Sequence, residues 1–278
     1  MLRIDQRVLA ELSAATRSKD VVEFVWQAVR LEFSTIPPYL TAMLSLHPGK
    51  NREVWNTIHD VVVDEMLHMT IACNLLNALG GRPNIDSSEF LPRYPTQLPM
   101  AINSLVVGLE PYSPELMKRV FMEIEEPENP IPVPFTERAG EAFATIGQFY
   151  AALITKLEAL GDGAFIGDPA RQVVASTWFG PRVFALTDVA SAVRAIELVV
   201  DEGEGTALSP LDPDGDLAHY YRFSELWRLR RIVSDASSSS GWSHSGDVVP
   251  YDPAAVYPIT PNQKLADLDF GSQAGHRA

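Results

Sequence analysis

The sequence predicts an all-α protein: a four-helix bundle with one long crossover connection, a short fifth helix and an extended C-terminal tail. Two long segments near the start carry apolar residues at alternating steps of three and four, the seam of helices packed on helices. A proline-rich stretch separates them from two further helical segments, so the chain crosses the bundle's length before continuing it. Both early seams are also interrupted by polar residues where a packed helix should be apolar.

The first strong helix is expected over residues 20–46, with Val22, Val25, Val29, Glu32, Ile36, Tyr39 and Met43 on its seam. Within it stands Ile36-Pro37-Pro38-Tyr39. An interior proline removes a backbone hydrogen bond at a cost of about 3 kcal/mol or more. Here the carbonyls near Phe33 and Ser34 lose their donors. Either the helix ends and restarts at Tyr39, or it kinks and opens the bundle beside Glu32. The kink is preferred, because broken local rules collect at functional sites.

The second helix spans residues 52–79, with Val54, Ile58, Val61, Glu65, His68, Ala72, Leu75 and Leu79 in register, and Gly80-Gly81 with Pro83 stops it. From Pro83 to Pro134 recurrent prolines exclude a long helix. One short piece opens at Ser113-Pro114-Glu115, an N-cap, a first-turn proline and an early acid, and Pro127 closes it. A third bundle helix fits residues 137–160, placing Ile146, Tyr150, Leu153, Leu157 and Leu160 on one face. Thr187 or Asp188 caps a fourth over residues 189–204. After a Pro/Asp/Gly-rich loop, a short fifth covers residues 217–232, with His219, Phe223 and Leu226 on one side. The expected division is a helical domain over 1–233 and an extended or flexible tail over 234–278, rich in Ser, Pro and Gly.

With 278 residues, 46% hydrophobic and 21% charged, the chain is globular and can bury a sizeable core. Its net charge of −14 argues against nucleic-acid and anionic-membrane partners, which require a basic footprint. The single Cys73 excludes an internal disulfide and a cysteine-rich zinc site. The first residues lack the apolar core of a signal peptide, and no apolar run approaches the roughly 20 residues that span a bilayer. A cytoplasmic protein is expected.

The seam violations carry the chemistry. A buried charge must be paired or metal-bound, and Glu-x-x-His, here Glu65 and His68, is the spacing that bundles use to hold iron or manganese. Alone it is weak, because such pairs recur on exposed helices. Glu32 in the neighbouring seam turns it into half a site. The other half is less regular. Val193, Glu197, Val200 and Glu204 share one stripe, so both glutamates can face inward, although for Glu197 a surface charge is the preferred reading. His219 reads as a ligand returned by the loop or as a core histidine bonded to a backbone carbonyl. On the third helix Glu141 and Gln148 share a face, but an acid in a first turn is favoured by the helix dipole anyway, and a neutral amide is a poor iron ligand. Tyr39 and Tyr150 lie on bundle faces, where core packing explains them.

Leu31 to Leu40 and Asp64-Glu65-Met66-Leu67-His68, with Asn74 to Gly81, Ile146 to Tyr150, Gly203-Glu204-Gly205-Thr206 and His219-Tyr220-Tyr221-Arg222-Phe223, resemble the ferritin-like domain of the iminophenylpyruvate dimer synthase family. That family includes enzymes that couple two tryptophan-derived imines in bisindole pathways. The resemblance runs over about residues 20–231. It implies a ferritin-like bundle with metal ligands at Glu32, Glu65, His68, Glu204 and His219; Glu197, Gln148 and Glu141 stay weaker candidates from helix spacing alone. The family pattern often carries glutamate at position 148, where this chain has Gln148. The well-known synthases are also much longer.

The leading reading is an iron-dependent oxidative enzyme of secondary metabolism, with manganese as the alternative metal and one or two ions bound. Its partners would be a small, amino-acid-derived aromatic substrate and dioxygen or peroxide, and a homo-oligomer is compatible with the sequence. The competing reading is a non-catalytic ferritin-like binding or partner subunit whose buried Glu and His pair with each other.

Overall fold

In the computed structural model, residues 3–101, 105–127, 145–174, 178–204 and 209–264 are described. Helix α1 (Gln6–Ala14) leads into α2 (Ser18–Leu44) and α3 (Arg52–Ala78), which form the most extensively packed pair. The crossover carries α4 (Pro114–Leu116), a π-helical turn (Met117–Phe121) and α5 (Met122–Glu125). Helices α6 (Ile146–Leu160) and α7 (Val189–Glu204) complete the bundle, and α8 (His219–Arg228) packs on α3, α7 and the crossover. The chain is thus an all-α bundle with one long crossover. Sheet among the described residues is a two-residue antiparallel pair, Val233–Ser234 with Trp242–Ser243.

Each expected bundle helix is present, with adjustments that have local causes. Helix α2 runs unbroken through Pro37 and Pro38. Pro38 has no N–H to offer the Ser34 carbonyl, and the Tyr94 hydroxyl from the crossover donates to it instead at 2.8 Å. The third bundle helix is described from Ile146, and the expected stretch 137–144 lies outside the described residues. Thr145 is its N-cap with extended backbone, and Gln148 closes a reciprocal capping box. The fifth helix is shorter than expected, starting at His219 and ending where Leu229 turns left-handed. Helix α1 went unrecognised in the sequence; Asp5 caps it and Leu12 anchors it in the core.

Two glycines are dictated by geometry. Gly80, at φ +83°, ends α3 as its N–H reaches the Asn77 carbonyl. Gly167 passes so close to the end of α3 that an added Cβ would fall 1.8 Å from the Asn77 carbonyl oxygen. That close pass binds the loop between α6 and α7 onto α3, through Gly167 N to the Ala78 carbonyl and Asn74 to Val173.

The apolar interior falls into two clusters. One joins the first half of α2 to the second half of α3, with Val25, Leu75, Phe149 and Ile196. The other joins the second half of α2 to the first half of α3, with Tyr39, Ile58, Phe121 and Phe223. Between them lie buried Glu32, Glu65, His68, Glu202 and His219. Past α8 the chain turns back on the bundle. Val249 is fully buried, Val256 bridges to Leu46, and Asn262 accepts from the Leu109 N–H.

Candidate metal centre

Side-by-side packing of α2 and α3 sets Glu32 opposite Glu65 and His68, one turn apart on α3. The His68 Nδ1 lies 3.7 Å from Glu32 Oε2 and 3.8 Å from Glu65 Oε1. Glu65 is shared with a second group. The His219 Nδ1 sits 3.1 Å from Glu65 Oε1 and 3.6 Å from Glu125 Oε2. Glu32, Glu65 and His68 offer ligand atoms within 4.8 Å of one another, as do Glu65, Glu125 and His219. Either triad could hold a metal ion.

The elements of the second triad are irregular. His219 is the first residue of α8, set there by a compact loop in which Asp212 Oδ1 accepts from the N–H groups of Asp214 and Asp216, and the Ala218 N–H bonds the Pro210 carbonyl. Glu125 ends the crossover helix just after the π-helical turn. One extra residue in a turn re-aims the side chains that follow it, which is why such turns collect at functional sites.

Around these groups stands a ring of donors. Thr35 donates to Glu65 Oε2 at 2.6 Å, Tyr150 to Glu32 and Tyr39 to Glu125. Behind the imidazoles, His68 Nε2 donates to Glu202 Oε2 at 2.9 Å, and His219 Nε2 lies 3.5 Å from Asp64 Oδ2. Both rings therefore turn Nδ1 toward Glu65 and Nε2 toward an outer carboxylate, the arrangement by which metal-binding histidines are oriented. A cavity of about 40 Å³ adjoins Glu32, Glu65 and His68, with Leu31, Ile146 and Val199 among its apolar walls.

A family model described as ferritin-like matches residues 25–228 of the 278. The chain belongs to the ferritin-like family. A ferritin-like protein from Caulobacter vibrioides is similar in structure over 79% of this chain and 78% of that one, with a TM-score of 0.54 and 23% identity. At that identity the likeness is one of fold. No match is found among curated proteins.

The ferritin-like frame explains how the carboxylates come together, and burial and mutual repulsion set their electrostatics. Burial pushes the Glu32 carboxyl up to about 7, with the charge of Glu65 adding to the effect. Glu125 is raised by burial and then by Glu65. Burial also works against Glu65, but His219, His68 and Thr35 outweigh it and hold its pKa below the ordinary range. His219 is raised well above its usual value because Asp64, Glu125 and Glu65 overcome the penalty of burial. Yet neither ring nitrogen of this fully buried imidazole has a hydrogen-bond partner among the described residues, despite the carboxylates nearby. An orphaned buried polar group is costly, and a metal beside Nδ1 would satisfy that nitrogen, with Nε2 left facing Asp64. The residues fit a carboxylate–imidazole metal centre.

The structure thus brings together Glu32, Glu65, His68 and His219 from the sequence-derived candidates. It does not bring in Glu197, which is exposed. Helix α7 turns Ala192, Ala195, Val199 and Glu202 inward, a stripe one residue away from the expected one. Gln148 uses its side-chain oxygen to close the capping box with Thr145. Glu141 and the side chain of Glu204 lie outside the described residues. Two groups were missed. Glu202 was readable from the small residues three and four positions apart on α7; Glu125 had as its only signal an acidic end to a short helix.

Proposed function

We propose that this ferritin-like chain is a metal-dependent oxidative enzyme with a dinuclear centre, held by Glu32 and His68 on one side, Glu125 and His219 on the other, and Glu65 between. The observation that carries this reading is that two buried ligand groups share Glu65. Iron is the proposed metal and manganese the alternative; bound there, it supplies one-electron chemistry toward dioxygen or peroxide.

The protein's own residues set the conditions for that chemistry. Thr35 fixes one oxygen of Glu65 and leaves the other facing the two imidazoles. Burial drives the Tyr39 and Tyr150 phenols far above their ordinary pKa, so both stay protonated and donate to Glu125 and Glu32. Each holds its carboxylate in one orientation. The small cavity, with apolar side chains in its wall, restricts water and has room for a molecule of a few atoms, the size of dioxygen or peroxide.

The finer reading is a small, amino-acid-derived aromatic substrate in secondary metabolism, a cytoplasmic location and a homo-oligomer. It rests on the motif resemblance to iminophenylpyruvate dimer synthases and on composition. The competing reading, a non-catalytic partner subunit, requires the buried Glu and His to satisfy one another. Neither His219 nitrogen makes a well-formed hydrogen bond to the carboxylates beside it, which speaks against that reading.

Metal content decides between them. Protein purified without chelator should carry iron or manganese in stoichiometric amount and lose it in Glu65→Ala and His68→Ala. Absence of metal from the wild type, even after anaerobic incubation with ferrous iron, would sink the proposal. With metal bound, dioxygen consumption in the presence of aromatic amino acids and their imino acids tests the substrate class.

A further inference from the structure

A second cleft, of about 780 Å³, has on its floor an ion network that the proposed chemistry does not use. Asp64 and Glu202 come from different helices, and each faces the Nε2 of a different imidazole. Arg182, in the 3-10 turn Gly180–Arg182 of the loop before α7, joins them. A single Nη1 donates to Asp64 Oδ1 and to Glu202 Oε1, both at 3.0 Å. Arg222, one turn after His219 on α8, reaches Asp64 Oδ2 at 3.2 Å. Glu202 has no such second arginine: among the described residues its ion pairs are with His68 and Arg182.

A carboxylate behind an imidazole fixes the ring only if the carboxylate is itself held. A guanidinium holds one well, since its donors are rigid and its charge is permanent. The geometry points to Arg182 as a positioning residue that locks both imidazoles into one frame, with the His68 side depending on it more heavily than the His219 side. This rests on the metal-centre reading above. The asymmetry follows from the backup: without Arg182, Asp64 keeps Arg222, whereas Glu202, in the last turn of α7, keeps only the imidazole it is meant to orient.

Anaerobic calorimetric titration of the metal-free full chain with ferrous iron tests it in wild type, Arg182→Gln, Arg182→Lys and Arg222→Gln. Arg182→Gln should weaken one of two binding steps by about ten- to a hundred-fold, the range for loss of a group that orients a ligand, and leave the other much less affected. Arg182→Lys should recover most of the loss, because one nitrogen makes both contacts. Arg222→Gln should leave both steps much less affected, because Arg182 still holds Asp64 and Glu202. Unchanged affinities in Arg182→Gln, or equal loss at both steps, overturn the inference. A metal-free readout separates it from the metal reading. In nitrogen-labelled histidine NMR spectra, Arg182→Gln should shift or broaden the His68 Nε2 signal while His219 keeps its own. If the wild type takes up no iron, the metal reading fails and this spectrum alone decides; an unmoved His68 signal would then refute the positioning role as well.

Discussion

The two halves of the candidate centre are built by different means. Glu32, Glu65 and His68 stand on α2 and α3, two 27-residue helices packed along their length. Glu125 and His219 stand on the last residue of a four-residue helix and the first residue of a ten-residue one. The first half inherits its geometry from regular helix spacing. The second is assembled from interruptions: a π-helical turn, a capped loop, a helix start. Short helices are held by few backbone hydrogen bonds of their own, so the second half is the one the fold can adjust.

The sharpest way to break this comparison is at the residue both halves share. Glu65→Ala should take bound metal from two ions per chain to none. Glu32→Gln and Glu125→Gln should each leave one, as read by elemental analysis of protein reconstituted with ferrous iron. If the halves differ as their construction implies, Glu32→Gln leaves an ion that exchanges faster than the one left by Glu125→Gln. Equal exchange rates would mean that the irregular half is as firmly held as the regular one.

A smaller effect sharpens the same contrast through pH. Without metal, Glu32 titrates near 7 in the folded chain, against an ordinary value of 4.5. The folded state therefore keeps a proton that the unfolded chain gives up between those values, and its stability falls as pH rises through that window. Glu32→Gln removes this dependence. The metal-free variant should match or trail wild type below pH 4.5 and gain on it progressively up to pH 7, read as the difference in Tm. Metal binding releases the same proton, so iron affinity in wild type should rise over that interval. A difference in Tm that is flat with pH would show that Glu32 is not held protonated.

The same division explains what the sequence could reveal. The bundle and the first half were legible because a seam three and four residues apart leaves Glu32, Glu65 and His68 as visible exceptions. His219 was legible only as a histidine displaced by a loop. Glu202 was missed because α7 is lined inward by Ala192 and Ala195, and a stripe of small residues is easily displaced by the stronger valines beside it. Glu125 was missed because a π-helical turn has no periodicity to read. The double proline was a real signal read too locally. The Ser34 carbonyl that Pro38 leaves without a donor is satisfied across the fold by Tyr94, 60 positions away, and no helix-by-helix reading finds such a partner.

That partnership gives the next effect in size. Tyr94→Phe keeps the ring and removes the donor, leaving the Ser34 carbonyl beside Pro38 unsatisfied. The cost should be about 1–3 kcal/mol, that of orphaning a buried polar group. Urea denaturation should show a lower midpoint with an unchanged slope. Because Ser34 is two residues from Glu32, iron affinity at the regular half should fall with it. If stability drops while affinity holds, the helix tolerates the proline pair without moving its carboxylate.

The smallest effects lie at two positions that the sequence offered as ligands. Gln148→Ala breaks the capping box at the start of α6 and should cost about 0.5–1 kcal/mol, toward the low end for lost caps. Glu197→Ala, on the solvent face of α7, should stay within about 0.5 kcal/mol of wild type. Neither should change the number of metal ions bound. Glu197 discriminates because its stripe on α7 and the buried one differ by a single residue's rotation. If Glu197→Ala released a metal ion, α7 would have to sit rotated from the register that buries Ala192, Val199 and Glu202. His68 would then lose the carboxylate behind it, and the bracket formed by Arg182 would come apart.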